Sequence, residues 1–454
     1  MLHLQSPGSR LCDGLTRRDF LHVGGLALAG LTLPDLARAA RGKSKIRSCI
    51  ELFMWGGPSQ LETFDLKPDA PEGIRGPFQP IATKTVGTRI CEHLPLLARR
   101  TDRYAIIRSA THTGVNHGTS AYHMLTGHIH FTPGTLRHPT PNDHPSIGSS
   151  VTKYGPQPAN VPSHVSIPSI LHDGDGGEVP GQGAGMLGAR YTPFFVNGDP
   201  TQADFSVDTL KLPGDINRQR FQQRLGLQAA LEQHAEKLTR LPGPQAMDDH
   251  YERALRWLST PATERAFHLA AEPKNVRDRY GMHHFGQSCL LARRLVEAGV
   301  PLITVYWNTP SLTDDGSWDT HKDNERRSKN DLLPHFDKGL AALLDDLHER
   351  GLLDETLIVW KGEFGRTPRI NKNGGRDHWG FCQSVILAGG GIKGGQVHGS
   401  SDASAAYAAE LPVSPDDLAA TTFDRFGIPI DTEIRDAQGR PLPLCLGKPL
   451  TALM

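Results

Sequence analysis

Short β-prone segments alternate with helical segments along most of this 454-residue chain. The β-prone segments are rich in branched and aromatic residues and are bounded by Gly, Pro or Ser, as buried strands typically are. They comprise residues 48–55, 104–109, 163–167, 301–307, 356–360 and 384–388. Helical patterns lie at 287–298, 332–350 and 416–426. Because strands joined through helices pair in parallel, this alternation predicts an α/β fold with one large, mostly parallel sheet and helices on both faces.

One long segment departs from the alternation. From about residue 205 to residue 275 the chain is charged and helical in pattern. A chain of this length can form one large α/β domain with insertions. We therefore predict a single domain over residues 40–454 that carries a helical insertion at about 205–275.

The first 39 residues have the pattern of a twin-arginine signal peptide. The stretch 16–21 (TRRDFL) precedes an apolar run at 23–33 and an A-x-A cleavage pattern at 37–39. The apolar run is too short to span a bilayer comfortably, and no later segment reaches that length. We therefore expect export through the twin-arginine pathway to the periplasm or the extracellular space, with no stable membrane span after cleavage. The alternative interpretation is a buried N-terminal helix.

Charge and glycine patterning exclude some partners. The chain has 49 basic and 49 acidic residues, so its formal net charge is zero and no nucleic acid is expected as a partner. The glycine-rich stretch 388–399 lacks the spacing of a dinucleotide-binding or phosphate-binding loop, so no nucleotide cofactor is expected. The 22 histidines favour metal binding or acid–base chemistry.

Polar clusters follow four of the predicted strands. They are residues 59–65, 112–130, 314–321 and 361–378. In open α/β sheets, ligands bind beyond the carboxyl ends of the strands. Because the four clusters lie at these ends, we expect them to meet at one edge of the sheet and form an active site.

Two of these clusters contain paired carboxylate and imidazole groups. Asp319 and His321 lie two residues apart in WDTHKDN, and Asp377 and His378 are adjacent in GRDHWG. Each pair alone is compatible with a solvated loop. Together with Glu363 they predict a metal site, because carboxylates and imidazoles are ligands of zinc, manganese and iron.

The stretch 116–127 (NHGTSAYHMLTG) follows a predicted strand and opens a predicted helix. A helix N-terminus favours anions and can activate a nucleophile. His117, Thr119 and Ser120 are the candidates for such a role. The alternative is that Asn116, Thr119 or Ser120 only caps the helix.

An ordered set of motifs resembles a known family. The motifs are WGGPSQLETFD, NHGTSAYHMLTG, WDTHKDN, LIVWKGEFGRTPRI, GRDHWGF and AGGGIKGGQVHG. In this order they resemble the exported bacterial proteins of domain-of-unknown-function family 1501, within the alkaline phosphatase/sulfatase superfamily. The resemblance covers nearly the whole chain after residue 39. It implies an alkaline-phosphatase-like α/β sandwich with metal ions at the carboxyl ends of the strands.

The resemblance also assigns roles to particular positions. In the superfamily a nucleophile lies ten residues before the Gly of an L-T-G ending, and here that position, counted from Gly127, is His117. A standard sulfatase requires Cys or Ser there, so the resemblance does not imply a formylglycine mechanism. The strand ending TLIVWKGEFG places Glu363 at a metal-binding Asp and Phe364 at a metal-binding His. Asp65 is a further candidate ligand, from the stretch that follows the Gly-Gly turn.

We therefore predict an exported metal-dependent hydrolase that acts on a phosphate or sulfate ester. The predicted ligands of one or two divalent ions are Asp319, His321, Glu363, Asp377, His378 and Asp65. Zinc fits this set, and calcium and manganese are also compatible with it.

The remaining predicted roles concern catalysis and the substrate. His117 is a predicted ligand, acid–base group or nucleophile, and Thr119 is a second catalytic candidate. Arg366 or Lys361 is expected to neutralise an anionic ester substrate, such as a sulfated or phosphorylated saccharide. The alternative function is a non-catalytic exported binding or scaffold protein, because the ligand set is incomplete by the standard of the superfamily and the nucleophile position lacks a hydroxyl or thiol.

Overall fold

An eight-stranded sheet forms the centre of the computed structural model. The structure describes residues 44–130, 138–158, 160–174, 176–202, 261–307 and 316–454, with the single positions 205, 207 and 223. The predicted signal peptide and most of the predicted helical insertion lie outside the described residues. None of the described helices combines the length and the apolar character that crossing a bilayer requires.

The strands of this sheet follow the predicted β-prone segments closely. They are β1 (Ser48–Met54), β2 (Tyr104–Ala110), β3 (His164–Ile167), β4 (Phe194–Phe195), β5 (Leu302–Tyr306), β6 (Thr356–Gly362), β7 (Gln383–Ala388) and β8 (Val397–His398). Their spatial order is β8-β2-β7-β6-β1-β5-β3-β4. Most strands are buried along their whole length, as expected for a sheet that helices cover on both faces.

The predicted mostly parallel pairing is confirmed, with one exception. All neighbours are parallel except β7, which is antiparallel to both β2 and β6. The connection from β6 to β7 contains no helix. A parallel neighbour requires a long crossover connection, so a loop that returns from the carboxyl edge delivers β7 in the opposite direction. The sheet is therefore mixed.

Helices cover both faces of the sheet. They are α1 (Pro95–Ala98), α2 (His117–Thr126), α3 (Ile147–Tyr154), α4 (Pro261–Phe267), α5 (Lys274–Tyr280), α6 (His284–Glu297), α7 (Asn324–Arg327), α8 (Leu333–Glu349) and α9 (Pro415–Arg425). A π-helical stretch, Ser328–Leu332, joins α7 to α8. One apolar cluster contains residues of α6 and α8, and a second contains residues of α2, α3 and α9. The two clusters are the two layers of core on either side of the sheet.

Smaller elements surround these layers. Short strands pair as Pro80–Ala82 with Arg89–Cys91, Gly365–Arg366 with His378–Trp379, Ser400–Ser401 with Ala408–Glu410, and Glu433–Arg435 with Pro441–Pro443. Single 3₁₀ turns occur at Gln60–Glu62, Thr101–Arg103, Gly185–Leu187, Ala189–Tyr191, Leu269–Ala271, Leu353–Glu355 and Thr451–Leu453.

The carboxyl ends of three central strands lie level with one another. Met54 at the end of β1 pairs with Gly362 at the end of β6, and Phe53 pairs with Tyr306 at the end of β5. Strand β2 leads through a loop into α2. The segments that follow these strands therefore emerge on the same edge of the sheet, where ligand sites of α/β folds are built.

Candidate active site

Helix α2 begins at His117 because Asn116 caps it. The side-chain oxygen of Asn116 accepts a hydrogen bond from the Thr119 amide at 3.5 Å, and the Thr119 hydroxyl donates to the Asn116 carbonyl at 3.3 Å. The helix ends at Gly127, which adopts the left-handed conformation with φ 72°. Ser120 is buried at 1% exposure. Asn116 therefore caps the helix, and the Thr119 hydroxyl is hydrogen-bonded within the first turn.

A glycine turn after β1 brings a second segment close to α2. Gly56 has φ +105°, which residues with a side chain rarely adopt. A Cβ atom at this position would lie 2.1 Å from the Asp319 amide nitrogen and 2.5 Å from the Trp318 carbonyl carbon. The Trp318 amide also donates to the Trp55 carbonyl at 2.9 Å. Only glycine allows the Asp319 segment to lie this close to the turn.

His117, Asp319 and His378 meet at this edge. Within the described part of the chain they form the one group of at least three metal-ligand side chains whose ligand atoms all lie within 4.8 Å of one another. The Nε2 atom of His117 lies 3.4 Å from Asp319 Oδ2, and the Nε2 atom of His378 lies 3.2 Å from Asp319 Oδ1. These residues come from three separate segments of the sequence. Asp319 and His378 were predicted as ligands, and His117 was predicted as a ligand, an acid–base group or a nucleophile.

His321 approaches the same carboxylate. Its Nε2 atom lies 3.2 Å from Asp319 Oδ1 and 2.9 Å from His378 Nε2. Its Nδ1 atom lies 2.7 Å from Asp377 Oδ1, and the Asn371 amide donates to the same oxygen at 3.2 Å. His321 and Asp377 are the most exposed members of the site, at 44% and 55% of their side chains. They form an outer pair beside the half-buried group.

The Nδ1 atom of each imidazole faces an oxygen atom that accepts hydrogen bonds. For His117 this oxygen is Glu363 Oε1 at 2.7 Å, and for His378 it is the Val115 carbonyl at 2.9 Å. For His321 it is the Asp377 carboxylate. Each ring therefore donates from Nδ1 and directs Nε2 towards Asp319. Ligand histidines of metal sites are oriented in this way by carboxylates and carbonyls.

Glu363 lies behind His117 rather than among the converging atoms. Its side chain has no exposure, and Oε1 also accepts from the Gly56 amide at 2.7 Å. Its Oε2 atom has no hydrogen-bond partner among the described residues. The His112 ring donates to the Glu363 carbonyl through Nε2 at 2.7 Å. The structure therefore places Glu363 as the acceptor that orients His117, one step outside the group in which it was predicted.

Opposing influences set the charge states of the group. Burial disfavours the charged form of His117, but hydrogen bonds with Asp319 and Glu363 outweigh it and raise its pKa to about 9. Burial raises the pKa of Asp319, but hydrogen bonds from His117 and His378 and the charge of Arg366 hold it well below its usual range. Without a metal ion, a proton on His117 Nε2 therefore faces a carboxylate.

Arg366 does not have the position predicted for it. Its side chain is fully buried, and its NH2 group contacts Asp319 Oδ1 at 2.5 Å. Its other donors reach the carbonyls of Gly56, Gly57 and Arg376. Because these partners engage its donors, the guanidinium neutralises Asp319 and holds the glycine turn, instead of facing a substrate anion.

Lys361 and Asp65 lie away from the group. The Lys361 ammonium has no exposure and pairs with Glu51 at 2.9 Å, beneath the edge of the sheet. The Asp65 carboxylate is 2% exposed and pairs with Lys67 at 3.0 Å. It also accepts from the Ser401 hydroxyl. The structure therefore does not bring Lys361 or Asp65 to the group, because both charges are buried against other partners.

Aromatic rings that were not predicted as site residues pack against the imidazoles. Phe364 stacks on His378 with ring centroids 4.5 Å apart, and Trp55 lies 4.8 Å from the His117 ring. Trp55 and Phe364 lie just after strands, within the motifs of the sequence. This position is the signal from which the sequence could have predicted them as site residues. They pack against the rings of two of the three histidines.

The residues present fit a divalent metal ion. Three imidazoles direct Nε2 towards one carboxylate, and the Nε2 atoms of His321 and His378 lie 2.9 Å apart. Two nitrogen lone pairs at this distance repel each other unless a proton or a cation lies with them. Nitrogen and oxygen ligands of this kind suit zinc, and a buried carboxylate oxygen without a partner on Glu363 is also compatible with a nearby cation.

The fold and the site define an α/β protein with a large mixed sheet and a histidine–carboxylate group at its carboxyl edge. More specifically, the chain belongs to the family described as "Protein of unknown function (DUF1501)", whose model matches residues 46–454. A search of the curated proteins finds no match.

The chain is also similar to several solved structures. A complex of Ps i-CgsB with k-i-k-neocarrahexaose has 13% identity and a TM-score of 0.41, covering 86% of this chain and 73% of that chain. The PsFucS1 sulfatase from Pseudoalteromonas sp. has 14% identity and a TM-score of 0.37, covering 90% and 72%. The phosphonate monoester hydrolase SpPMH from Silicibacter pomeroyi has 16% identity and a TM-score of 0.31, covering 76% and 71%.

Proposed function

We propose that this protein is an exported, metal-dependent hydrolase of a phosphate or sulfate ester. The observation that carries the proposal is the convergence of three imidazole Nε2 atoms on the Asp319 carboxylate, each ring being oriented by an acceptor at Nδ1. Such an arrangement directs the nitrogen lone pairs at one point, as ligand histidines are directed in metal sites.

We assign His117, Asp319 and His378 as the ligands. Three protein ligands leave a coordination position open, as in catalytic zinc sites, and a bound ion there would polarise the ester and lower the pKa of a water molecule. His117 is assigned as a ligand rather than a nucleophile, because its Nδ1 faces Glu363 and its Nε2 faces Asp319. Zinc is the ion that these ligands favour, and calcium or manganese is the alternative to be tested.

The outer pair supplies the proton transfer in this proposal. Asp377 accepts from His321 Nδ1 and so keeps Nε2 directed at the site. His321 Nε2 can therefore accept a proton from an attacking water molecule or donate one to the leaving oxygen. Arg366 contributes indirectly, since its contact with Asp319 keeps that carboxylate ionised and in place.

The proposed substrate is an anionic ester, with sulfated and phosphorylated saccharides as the first compounds to test. The pattern at residues 16–39 supports a location outside the cytoplasm. Replacing Arg17 and Arg18 with Lys tests this part of the proposal in a host with a twin-arginine pathway. We expect the variant to stay in the cytoplasm while the wild type is exported, and equal export of both proteins would contradict it.

A non-catalytic binding or scaffold role is the second candidate. The observation that favours it is the position of Arg366, because each of its three guanidinium nitrogen atoms donates to a group of the protein itself. A hydrolase of anionic esters gains from a free cation beside the reacting group, and Arg366 does not provide one.

Metal analysis separates the two candidates. The purified protein is dialysed against zinc, calcium and manganese, and bound metal is measured by mass spectrometry. We expect one zinc ion per chain in the wild type and loss of zinc in His378→Ala. His348→Ala is the matched control because His348 is an exposed histidine of α8. No stoichiometric metal in the wild type would refute the metal site.

Turnover is tested with a panel of phosphate and sulfate esters. His321→Ala should retain zinc and lose most turnover, because it removes the proton-transfer group and keeps the three ligands. Loss of zinc in His321→Ala would show that His321 is a ligand instead. Stoichiometric zinc without turnover of any ester in the panel would favour the binding role.

A further inference from the structure

The N-terminal end of α2 lies against a buried carboxylate from the end of β6. Helix α2 has no acidic residue in its own first turn. Glu363, directly after β6, accepts from His117 Nδ1 at 2.7 Å and has no exposed side-chain surface. A carboxylate at a helix N-terminus interacts favourably with the partial positive charge there. Glu363 therefore supplies the charge that the sequence of the helix lacks.

The C-terminal end of the same helix lies against a buried ammonium group from the same strand. Lys361 Nζ donates to the Met124 carbonyl at 2.8 Å. In a longer helix this carbonyl would accept from the His128 amide, which here donates to the Thr126 hydroxyl at 3.1 Å. Lys361 thus satisfies one of the carbonyls that the end of a helix leaves unpaired, and its charge suits the partial negative charge there.

Neighbouring strands hold Lys361 in turn. Its ammonium contacts Glu51 Oε1 at 2.9 Å on β1, and Glu51 Oε2 accepts from the Thr304 hydroxyl at 3.4 Å on β5. The His164 ring on β3 lies 3.0 Å from the Thr304 oxygen. This buried polar row crosses four adjacent strands, so the ammonium is attached to the centre of the sheet.

From these contacts we propose that Lys361 is a positioning residue, which together with Glu363 holds α2 at both ends and so determines the position of His117. Lys361 of β6 and Glu363, which directly follows β6, contact a helix of ten residues, which is too short to be stable on its own. The consequence for metal binding rests on the function proposed above. The proposal that Lys361 and Glu363 hold α2 does not rest on that function.

The test uses the full-length protein with Lys361→Met and Glu51→Leu combined. Replacing both charges with apolar residues of similar size avoids leaving one of them buried without a partner. The matched control is Arg293→Met, because Arg293 is another buried cation, at 1% exposure, and it pairs with Asp346 in the layer of core that contains α6 and α8. Hydrogen exchange of the α2 amides is measured in metal-free protein.

We expect the α2 amides to exchange about tenfold faster or more in the double variant, which is the effect of losing one buried hydrogen bond to a charged group. In Arg293→Met, α2 exchange should change no more than exchange in the rest of the protein. Wild-type exchange of α2 in the folded double variant would overturn the proposal.

Cobalt(II) reports whether the helix positions His117, because its absorption spectrum depends on ligand geometry. We expect an altered spectrum in the double variant and a wild-type spectrum in Arg293→Met. Faster α2 exchange with an unchanged spectrum would overturn the role in positioning His117. If the wild type binds no cobalt, the proposed metal site fails, whereas the exchange measurement still decides whether Lys361 holds α2.

A measurement on the wild type decides the matter if the double variant does not fold. Lys361 should resist a water-soluble amine-acylating reagent as urea is raised, until the α2 amides lose protection. Acylation of Lys361 while these amides remain protected would overturn the proposal, because the ammonium would then be free of Met124.

Discussion

Gly56→Ala is the substitution through which the site can be tested most directly. The added methyl group would lie 2.1 Å from the Asp319 amide nitrogen, where contacts under 3.0 Å are essentially never seen. The neighbouring atoms belong to the backbone, so no flexible side chain can move aside. The Asp319 segment and the turn must therefore separate by about 1 Å or more, which moves Asp319 away from His117 and His378.

Two effects contribute to the magnitude. Alanine at φ +105° is strained, at a cost of about 1–2 kcal/mol. The steric separation also displaces a ligand by about 1 Å. Loss of a partner that only orients a ligand costs about 10–100-fold in metal affinity, and displacement of the ligand itself should cost as much as the upper end of that range. We therefore expect zinc affinity to fall about 100-fold, or about 2.7 kcal/mol.

Gly299→Ala separates the two effects. Gly299 has φ +89° and no atom within 4 Å of an added Cβ, so it has the backbone strain without the clash. Unfolding in urea gives the stability of both variants, and competition with a chromophoric chelator gives zinc affinity. Gly56→Ala should be the less stable variant, and only it should lose affinity. Equal stability of the two variants with wild-type zinc affinity in Gly56→Ala would refute the reasoning.

Three further predictions concern the support of the site and the core. Glu363→Gln should lower zinc affinity about 10–100-fold in chelator competition, because it weakens the acceptor that orients His117; unchanged affinity would contradict this role. Burial lowers the pKa of His164 to about 3, so the unfolded chain binds a proton below about pH 6.5 that the folded chain does not. The unfolding free energy should therefore decrease as pH falls from 6.5 to 3, and His164→Gln should reduce that slope by about 1.4 kcal/mol per pH unit in urea titrations; an unchanged slope would show that His164 is protonated in the folded state. Phe336 has no exposure and stacks on Trp360 with centroids 4.8 Å apart, so Phe336→Ala should cost about 3–5 kcal/mol in the same assay, and a cost below about 1 kcal/mol would contradict its place in the core.

The strands and helices of the sheet could be predicted because their signals are local. Runs of apolar residues such as 356–360 become strands buried on both faces, and the helical pattern at 332–350 becomes α8. The direction of β7 could not be predicted. It depends on the connection from β6, which contains no helix, and the residues of the site loop in this connection set its path.

The structure brings together only part of the set of residues that the sequence predicts for the site. Asp319, His378 and His117 form the central group, in which hydrogen bonds with Asp319 and Glu363 raise the pKa of His117 to about 9. Arg366 or Lys361 was predicted to neutralise an anionic substrate, because cations of this kind pair with anionic esters. Burial reversed this assignment, since a buried charge requires a partner within the protein.

The sequence by itself determined the class of fold and the edge at which the polar residues gather. Hydrophobic periodicity specifies strands and helices locally, and parallel strands carry the residues that follow them to the same edge. Only the tertiary structure decided which residues touch. His117, Asp319 and His378 are separated by long stretches of chain. Their contacts within 3.4 Å depend on the glycine turn, on the contacts of Lys361 and Glu363 with α2, and on the aromatic packing around them.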